Sequence, residues 1–226
     1  MRKLAILVGA IALTGSSFAQ KATSDTPMSL EGQVGFNTST LSFSSPAIRF
    51  RYFVTENIAV RATLGMSFGT TNEMFYEDEA LNSGGEGTYT EKSSSWNLAV
   101  GAEYHFAGTD RLSPYAGLDI GFGGGSDSYM GENSDGSSYV ADFSMEGKDP
   151  MSMIGVNLVA GTDFYFAENF YLGLELGLGF GSTTWKEGTS SVTFGGTTTD
   201  GPVSNTYKSS SFSNNFISNF RLGWRF

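Results

Sequence analysis

Residues 170–180 (FYLGLELGLGF) place a large apolar side chain at every second position. The even positions carry only Phe and Leu, whereas the odd positions carry one Tyr, three glycines and Glu175. A repeat of two residues puts these two sets on opposite faces of one β-strand. One face is wholly apolar with an aromatic ring at each end, and the other face is small or polar. This pattern is typical of a strand that crosses a membrane between lipid and a polar lumen.

Seven further segments repeat this alternation. The eight predicted strands are residues 29–37, 47–54, 58–69, 94–106, 113–123, 151–166, 170–180 and 211–226. Eleven residues, tilted as in known barrels, rise roughly 28 Å, which matches the apolar band of a membrane barrel. The chain has no run of about 18 apolar residues, so it predicts no membrane-spanning helix. We therefore expect an all-β fold, an eight-stranded antiparallel up-and-down transmembrane β-barrel.

The connections between the predicted strands alternate in length. Those at residues 55–57, 107–112 and 167–169 are short, whereas those at residues 37–46, 70–93, 124–150 and 182–210 are longer. Short periplasmic turns and long extracellular loops are the signature of an outer-membrane barrel, and an even strand count places both termini in the periplasm. Within the long loops, residues 137–145 and 190–194 are candidates to extend strands above the membrane.

The first residues have the pattern of a secretory signal peptide. Arg2 and Lys3 precede a short apolar run, and Ser17 and Ala19 place small residues at the two positions that determine cleavage. We predict that residues 1–19 are a signal peptide, that residues 20–28 are a polar periplasmic lead, and that residues 29–226 form the transmembrane β-barrel.

Alternation alone does not tell which face lies outside, because a soluble barrel buries its apolar face. Eight strands enclose a lumen that side chains only just fill, and the Phe, Trp and Leu of the apolar face are too bulky to share it. Glycines recur on the polar face, where they make room in a narrow interior. Aromatic residues gather at both ends of the apolar face, as interfacial girdles do. The periplasmic set is Tyr52, Tyr104, Phe164, Phe170, Trp224 and Phe226, and the outer set is Phe36, Phe68, Trp96, Phe122 and Phe180. We expect the apolar face to contact lipid.

The chain ends on Phe226, and Phe220, Leu222 and Trp224 occupy alternate positions before it. This ending resembles the C-terminal insertion signal of outer-membrane barrels, which implies that the barrel-assembly machinery is a partner. Over its mature length the chain resembles the small eight-stranded barrels of the OmpA-transmembrane-domain and OmpX type, a porin-like family of outer membrane proteins. The resemblance implies the outer membrane of a Gram-negative bacterium, with outer-membrane lipid and lipopolysaccharide as neighbours. Because the predicted barrel ends at strand eight, we expect no peptidoglycan-binding domain like that of OmpA proper.

The polar face of the predicted strands carries equal numbers of carboxylates and arginines. The carboxylates are Glu31, Glu103, Asp119, Asp163 and Glu175, and the arginines are Arg49, Arg51, Arg61, Arg221 and Arg225. A buried charge without a partner costs several kcal/mol, so equal numbers predict mutual pairing. The arginines lie on strands two, three and eight, whereas most carboxylates lie on strands four to seven. We predict a basic wall that faces an acidic wall and closes the periplasmic half of the lumen.

The upper lumen is predicted to be more open. Its inward positions carry Thr63, Ser67, Asn97, Asn157 and several glycines. We expect a barrel whose lumen is closed in its periplasmic half and forms a shallow water-filled pocket toward its outer end. The alternative is that the charged residues only satisfy one another and permit no transport.

The remaining chemistry is sparse. His105 is the only histidine and lies two residues from Glu103, an arrangement that hints at general-base catalysis, but an interior polar residue is the stronger interpretation. We predict no catalytic residue, metal site or cofactor, and the absence of cysteine excludes disulfides. The formal net charge of −10, without a basic stripe, argues against nucleic acid. The acidic loops at residues 70–93 and 124–150 either bind divalent cations or form a solvated acidic surface.

Two functions remain open from the sequence. The leading one is a non-enzymatic outer-membrane β-barrel that presents acidic polar loops at the cell surface, for adhesion, envelope integrity or ligand capture. In this function the lumen is largely plugged by pairs of arginine and carboxylate. The alternative is a narrow porin-like channel for small solutes.

Overall fold

The computed structural model describes residues 26–36, 47–78, 83–133, 143–213 and 218–226. These residues form eleven β-strands. The strands are β1 (Met28–Phe36), β2 (Ala47–Phe53), β3 (Ile58–Asp78), β4 (Ser83–His105), β5 (Leu112–Asn133), β6 (Ser144–Ala167), β7 (Phe170–Trp185), β8 (Thr189–Phe194), β9 (Thr197–Asp200), β10 (Tyr207–Ser213) and β11 (Ser218–Arg225). No helix within the described ranges has the length and apolarity that a membrane span needs.

Eight of these strands close a ring. Around the ring the order is β7, β11, β1, β2, β3, β4, β5 and β6, and β6 pairs with β7 again. Every pairing in the ring is antiparallel. The predicted fold, an eight-stranded antiparallel up-and-down barrel, is therefore confirmed.

The eighth predicted strand, residues 211–226, corresponds to two described strands. β11 pairs with β1 and with the periplasmic part of β7, and β10 pairs with the outer part of β7. Residues 214–217, which join them in sequence, lie outside the described residues, as do the predicted signal peptide and residues 20–25 of the predicted lead. Met28, predicted to end the lead, already belongs to β1 and lies opposite Tyr52.

The outside of the ring is apolar and its inside is polar. Large apolar side chains at even positions of the barrel strands are exposed, among them Leu30, Phe50, Val60, Leu98, Ile120, Leu158, Leu174 and Leu222. Charged and polar side chains at odd positions are buried. Such a surface suits lipid, so the prediction that the apolar face is the exterior is confirmed.

Aromatic residues mark both ends of this apolar band. Tyr52, Tyr104, Phe170, Trp224 and Phe226 are exposed near the periplasmic turns, and Phe68, Trp96, Phe122 and Phe180 are exposed at the outer end. Phe164 is only half-buried. Phe36, predicted for the outer edge, has a side chain outside the described set.

The central strands extend far beyond the apolar band. β3, β4, β5 and β6 contain 21, 23, 22 and 24 residues, whereas about 9–11 residues suffice to cross a bilayer. Most of residues 70–93 and much of residues 124–150 are therefore paired strand rather than irregular loop. The β3–β4 register runs without interruption from Ile58 opposite Tyr104 to Tyr76 opposite Glu86, with one irregularity before Asp78.

A short hairpin completes this extension. β8 pairs with the outer end of β6, and β9 pairs with β8. The predicted extension at residues 190–194 is confirmed as part of β8, and Gly195 and Gly196 form its turn with φ of 55° and 76°. Positive φ at two successive positions favours glycine. Residues 137–142 of the other predicted extension lie outside the described residues. We name the outer parts of β3–β6 (residues 69–78, 83–93, 125–133 and 144–150) together with β8 and β9 the outer sheet.

Candidate functional site in the barrel lumen

The strand register places the ten predicted lumen residues inside the ring. All ten are at odd positions, and their side chains are buried, with at most 6% of each residue exposed. Neighbouring strands bring some of them directly opposite one another, as Glu31 lies opposite Arg49 and Arg51 lies opposite Arg61. The remaining contacts join residues at different heights on neighbouring strands or cross the lumen.

Two ion pairs span the full width of the barrel. In a ring of eight strands, β2 faces β6 and β3 faces β7, four strands away in either direction. The guanidinium of Arg51 on β2 lies 2.6 Å from Asp163 Oδ2 on β6. The guanidinium of Arg61 on β3 lies 2.7 Å from Glu175 Oε2 on β7. These side chains therefore meet across the lumen and fill it.

Glu103 connects these two bridges, because it lies 3.0 Å from Arg61 and 2.9 Å from Arg51. Arg49 binds Glu175 in a bidentate manner, with two N···O distances of 2.9 Å. Arg61 is bidentate to Asp119, with N···O distances of 2.7 and 2.5 Å. Bidentate geometry adds both strength and orientation to an arginine–carboxylate pair.

Glu31, Glu103 and Arg221 close the network. The Nε of Arg51 lies 2.8 Å from Glu31 and 2.9 Å from Glu103. Arg221 lies 3.1 Å from Glu31 and 2.7 Å from Asp163. Four arginines and five carboxylates thus form one connected set, which we name the lumen network.

Arg225 is an exception to the expected pairing. Its guanidinium donates to the Thr26 carbonyl at 2.5 Å and lies 4.7 Å from the centroid of the Phe53 ring. No carboxylate of the described residues forms an ion pair with Arg225. Its position in β11, one residue from the chain end, places it at the periplasmic rim, below the carboxylates. The expected five-to-five balance is therefore replaced by four arginines against five acids.

Buried hydroxyl groups compensate for the surplus carboxylate. The Tyr171 hydroxyl donates to Glu31 at 2.7 Å, and the Tyr115 hydroxyl donates to Glu175 at 2.5 Å. Thr63, predicted for the open upper lumen, accepts a hydrogen bond from Arg49 at 3.0 Å. A buried charge needs such partners because its desolvation is costly.

A cluster of aromatic rings packs against the charged side chains of the network, mainly on their periplasmic side, and the sequence interpretation did not foresee it. Its members are Phe53, His105, Tyr115, Tyr165 and Tyr171, all buried, and we name them the aromatic floor. Ring centroids lie 5.1 Å apart for Phe53 and His105 and 5.2 Å apart for Tyr165 and Tyr171. The signal was present in the sequence, because each of these aromatic residues stands at an odd, inward position.

Glycines make the tight packing possible. A Cβ at Gly173 would overlap the Arg221 guanidinium, and a Cβ at Gly223 would overlap the Tyr171 ring. Each of these two side chains therefore packs over a glycine that lies directly opposite it on the neighbouring strand. The predicted role of inward glycines, to admit neighbouring side chains, is visible at these positions.

The upper lumen is open instead of filled. Gly121, Gly155 and Gly181 lie directly opposite one another on β5, β6 and β7. A cavity of about 370 Å³ lies at this level, and Asn97, Met153, Asn157 and Trp185 are among the residues that line it. The Asn97 and Asn157 side chains lie close over glycines of neighbouring strands. The lumen thus consists of a filled lower half and a cavity above it.

The described parts of the acidic outer segments do not form a metal centre. Asp127 and Asp149 lie directly opposite each other, and they line a cavity of about 470 Å³ with Glu91. No group of three or more His, Cys, Asp or Glu side chains within the described ranges has a geometry suited to a metal ion. Cation binding by these acids stays a prediction.

The four residues of the predicted insertion signal lie at the C-terminal end, on β11 and the residue that follows it. Phe220, Leu222, Trp224 and Phe226 are all exposed toward the lipid side. The Trp224 and Phe226 rings lie 4.8 Å apart. β11 pairs with β1 on one edge and with β7 on the other, so it is the strand that completes the ring.

A closed ring of eight strands with an apolar exterior and a filled polar interior defines an outer-membrane β-barrel protein. The model of the putative OmpA-OmpF-like porin family matches residues 37–179. That match covers more than half of the chain, and the chain belongs to this family.

Several solved structures are similar to the chain. The N-terminal β-barrel domain of Pseudomonas aeruginosa OprF has 17% identity and a TM-score of 0.35, with 88% of this chain and 96% of that domain covered. A major outer membrane protein of Thermus thermophilus has 13% identity and a TM-score of 0.47, with 88% and 98% covered. Ail, the attachment invasion locus protein of Yersinia pestis, has 14% identity and a TM-score of 0.33, with 88% and 95% covered. The comparison with curated proteins finds no match.

Proposed function

We propose that the protein is a non-enzymatic outer-membrane barrel with a closed lumen that presents its outer sheet at the cell surface. The presented surface serves adhesion, envelope integrity or ligand capture. Export through residues 1–19 and insertion through the C-terminal strand belong to the same proposal. The observation that carries it is the pair of ion bridges, Arg51 to Asp163 and Arg61 to Glu175, that cross the whole lumen.

Two sets of buried side chains, the lumen network and the aromatic floor, support a closed lumen. The side chains of Arg51, Arg61 and Asp163 are at most 3% exposed, so water has little access to the network. The aromatic floor packs against this network, and the Arg51 guanidinium lies 5.2 Å from the centroid of the Tyr115 ring and 5.6 Å from that of the Tyr171 ring. A permeating ion would have to separate bidentate charge pairs and then displace packed rings, and both steps carry a large free-energy cost.

The outer sheet supports presentation. It continues the barrel wall by many residues on four neighbouring strands, and it carries hydroxyl, amide and charged side chains on both faces. Paired strands hold such side chains in fixed positions, which favours recognition because less conformational entropy is lost on binding.

The surroundings of His105 argue against an enzyme. Its Nδ1 lies 2.8 Å from the Ser113 hydroxyl, and its Nε2 lies 3.2 Å from Glu103. The residue is 1% exposed and belongs to the aromatic floor. A substrate in the upper cavity would be separated from the imidazole by the lumen network, and a general base must lie within hydrogen-bond reach of its proton.

A narrow channel for small solutes is the second candidate. The cavity of about 370 Å³ above the network favours a channel, since a solute could enter the upper lumen through it. The family name also includes the word porin. This function requires the lumen network and the aromatic floor to rearrange.

Single-channel recording in planar bilayers separates the two candidates. We expect the refolded protein to give no steady conductance of porin size, and a shift in gel mobility between unboiled and boiled samples shows that the barrel is folded. A variant with a shortened outer sheet, recorded in parallel, shows whether the lumen or the outer sheet is the barrier. Steady porin-size conductance by the folded protein would establish the channel and overturn the closed lumen.

A further inference from the structure

All four lysines of the described residues share one level and one side of the barrel wall. They are Lys92, Lys148, Lys186 and Lys208. Each stands at an even, outward position, and each is exposed. Each lies four to six residues beyond the last large apolar residue that faces outward on the strand that contains or directly precedes it, namely Trp96, Ile154, Phe180 or Phe212. That offset corresponds to a rise of roughly 10–15 Å along a tilted strand.

This level lies within reach of the headgroup layer. The polar region of a bilayer leaflet extends about 5–8 Å beyond the hydrocarbon core. A lysine side chain can bend toward the interface and place its ammonium group several ångströms closer to the membrane. The ammonium groups can therefore approach the phosphate groups of the outer leaflet.

The carboxylates of the same level face the other way. Glu91, Asp127 and Asp149 stand at odd positions, on the face that continues the lumen wall. At this level the outer sheet is thus basic on the side of the surrounding membrane and acidic on its inner side. The sequence predicted acidic segments here but did not separate the charges by face.

Two of the lysines converge on a groove. The register places Lys92 opposite Ser128, Ser128 opposite Lys148, and Lys148 opposite Thr189. The strands that carry Lys92 and Lys148 are separated by about 10 Å, since one strand lies between them. Two ammonium groups with a hydroxyl between them can therefore donate to the same phosphate.

The groove above this row has a volume of about 580 Å³. Lys92, Ser128, Lys148 and Thr189 all line it. Among the described residues, no ion pair involves the ammonium group of Lys92 or Lys148. Both cations are therefore available to an anionic ligand.

The acids of the groove lie farther from the membrane. Glu146 and Asp200 belong to the next row of paired residues, farther from the membrane. In that row Glu146 lies opposite Ser191, and Ser191 lies opposite Asp200. The Ser191 hydroxyl donates to Glu146 at 3.3 Å. The row nearest the membrane is consequently the one that carries Lys92 and Lys148.

We propose that the row Lys92–Ser128–Lys148–Thr189 binds phosphate groups of the lipopolysaccharide that surrounds the barrel in the outer leaflet. The occupant follows from charge and position, because the groove opens outward above the apolar band, within reach of the headgroup layer, and its unpaired groups are hydrogen-bond donors. Ammonium and hydroxyl groups are suitable phosphate donors. This inference rests on the orientation in the proposed function, with the outer sheet at the cell surface.

The test measures binding of bisphosphorylated lipid A to the full-length protein refolded in phosphatidylcholine nanodiscs. We expect the double variant K92Q/K148Q to bind about thirtyfold more weakly, since the loss of each direct contact between a lysine and the lipid A phosphate costs about 1 kcal/mol. We expect K92R/K148R to retain binding. The matched control is K186Q/K208Q, which removes the same charge at the same level but outside the groove, and we expect less than about a threefold loss.

Two further binding measurements identify the source of the phosphate. Lipid A without phosphate groups is expected to bind at least tenfold more weakly, and millimolar inorganic phosphate is expected not to compete. Equal losses in both lysine pairs, or equal binding of the dephosphorylated lipid, would overturn the groove as the site. Gel mobility confirms that each variant is folded. Conductance does not depend on these exposed lysines, so a failure here is distinguishable from a failure of the closed-lumen proposal.

Discussion

Asp163 joins two arginines that reach it from different parts of the ring. Arg51 approaches from β2 across the lumen and Arg221 approaches from β11, at 2.6 and 2.7 Å. All three side chains are completely buried. Removal of this one negative charge leaves the positive charges of Arg51 and Arg221 with fewer carboxylate partners, in a site that water hardly enters.

We therefore expect Asp163→Asn to lower the free energy of unfolding by about 3–5 kcal/mol. Urea titration of the refolded protein in detergent micelles, followed by tryptophan fluorescence, measures the loss. Glu146→Gln is the matched control, because it removes the same charge from an exposed position, and we expect a change within about 0.5 kcal/mol. Equal effects of the two substitutions would contradict a stabilising role of the lumen network.

Inward glycines allow a second comparison between single residues. A Cβ at Gly223 would overlap the Tyr171 ring, whose hydroxyl is held by Ser29 and Glu31, so the ring cannot move without loss of these bonds. We expect Gly223→Ala to destabilise the barrel by about 1–3 kcal/mol, the usual cost of overpacking.

Gly121→Ala is the control for this substitution. Gly121 is also inward, but it lines the upper cavity and an added Cβ would have only the Gly155 carbonyl within 4 Å, at 3.9 Å. We expect it to be neutral or stabilising by up to about 1 kcal/mol. The same urea titration measures both, and a larger loss at Gly121 would show that the upper lumen is packed rather than open.

At the scale of elements, strand alternation predicted the barrel wall but not the outer sheet. β7 alternates strictly because one face meets lipid and the other meets the lumen, so its period is visible in the sequence. The outer parts of β3 and β4 have water on both faces, and Ser, Thr, Asn and Glu occupy both. Without an apolar face there is no period to detect, and pairing there depends on backbone hydrogen bonds between strands that are already aligned below.

The same distinction applies to the lumen. Parity alone identified the ten charged residues as inward. It could not tell that Arg225 lies below the carboxylates, because the relative heights of residues on different strands depend on the register. It also did not reveal the aromatic floor, since inward aromatics at strand ends resemble girdle residues until their face is known.

The C-terminal strand supplies a prediction about assembly. If Phe226 is part of a signal for the barrel-assembly machinery, Phe226→Ala should reduce the folded barrel in the outer membrane of cells by about tenfold or more, a loss that corresponds to roughly 1.4 kcal/mol. The fraction with heat-modifiable gel mobility in isolated membranes measures this effect. The purified variant should still refold in detergent, because Phe226 is an exposed residue that adds little to the interior.

Phe212→Ala is the control for this prediction. Phe212 is also exposed, lies on β10 and pairs with Phe180, but it is not part of the final strand. We expect normal amounts of folded barrel for this variant. A similar loss in cells for both variants would indicate that lipid-facing aromatics matter in general, and not a signal at the chain end.

At the scale of the whole molecule, stability and recognition lie in different parts. The lumen network, the aromatic floor and the apolar band all lie in the lower part of the barrel, whereas the outer sheet adds polar strands above it. Local units of a protein differ in stability according to the contacts that they bury. The barrel should therefore not depend on the outer sheet.

This separation predicts the behaviour of a trimmed protein. Gly69 lies directly opposite Ser93, so residues 70–92 can be replaced by an Asn-Gly pair, which suits a two-residue hairpin. We expect the trimmed barrel to keep its heat-modifiable mobility. Its free energy of unfolding should stay within the roughly 10–15% to which urea extrapolations are precise. Binding of lipid A should fall by about fivefold, because Lys92 is removed and Lys148 remains. A trimmed protein that no longer refolds would show that the outer sheet holds the barrel together, and the division of roles would then be wrong.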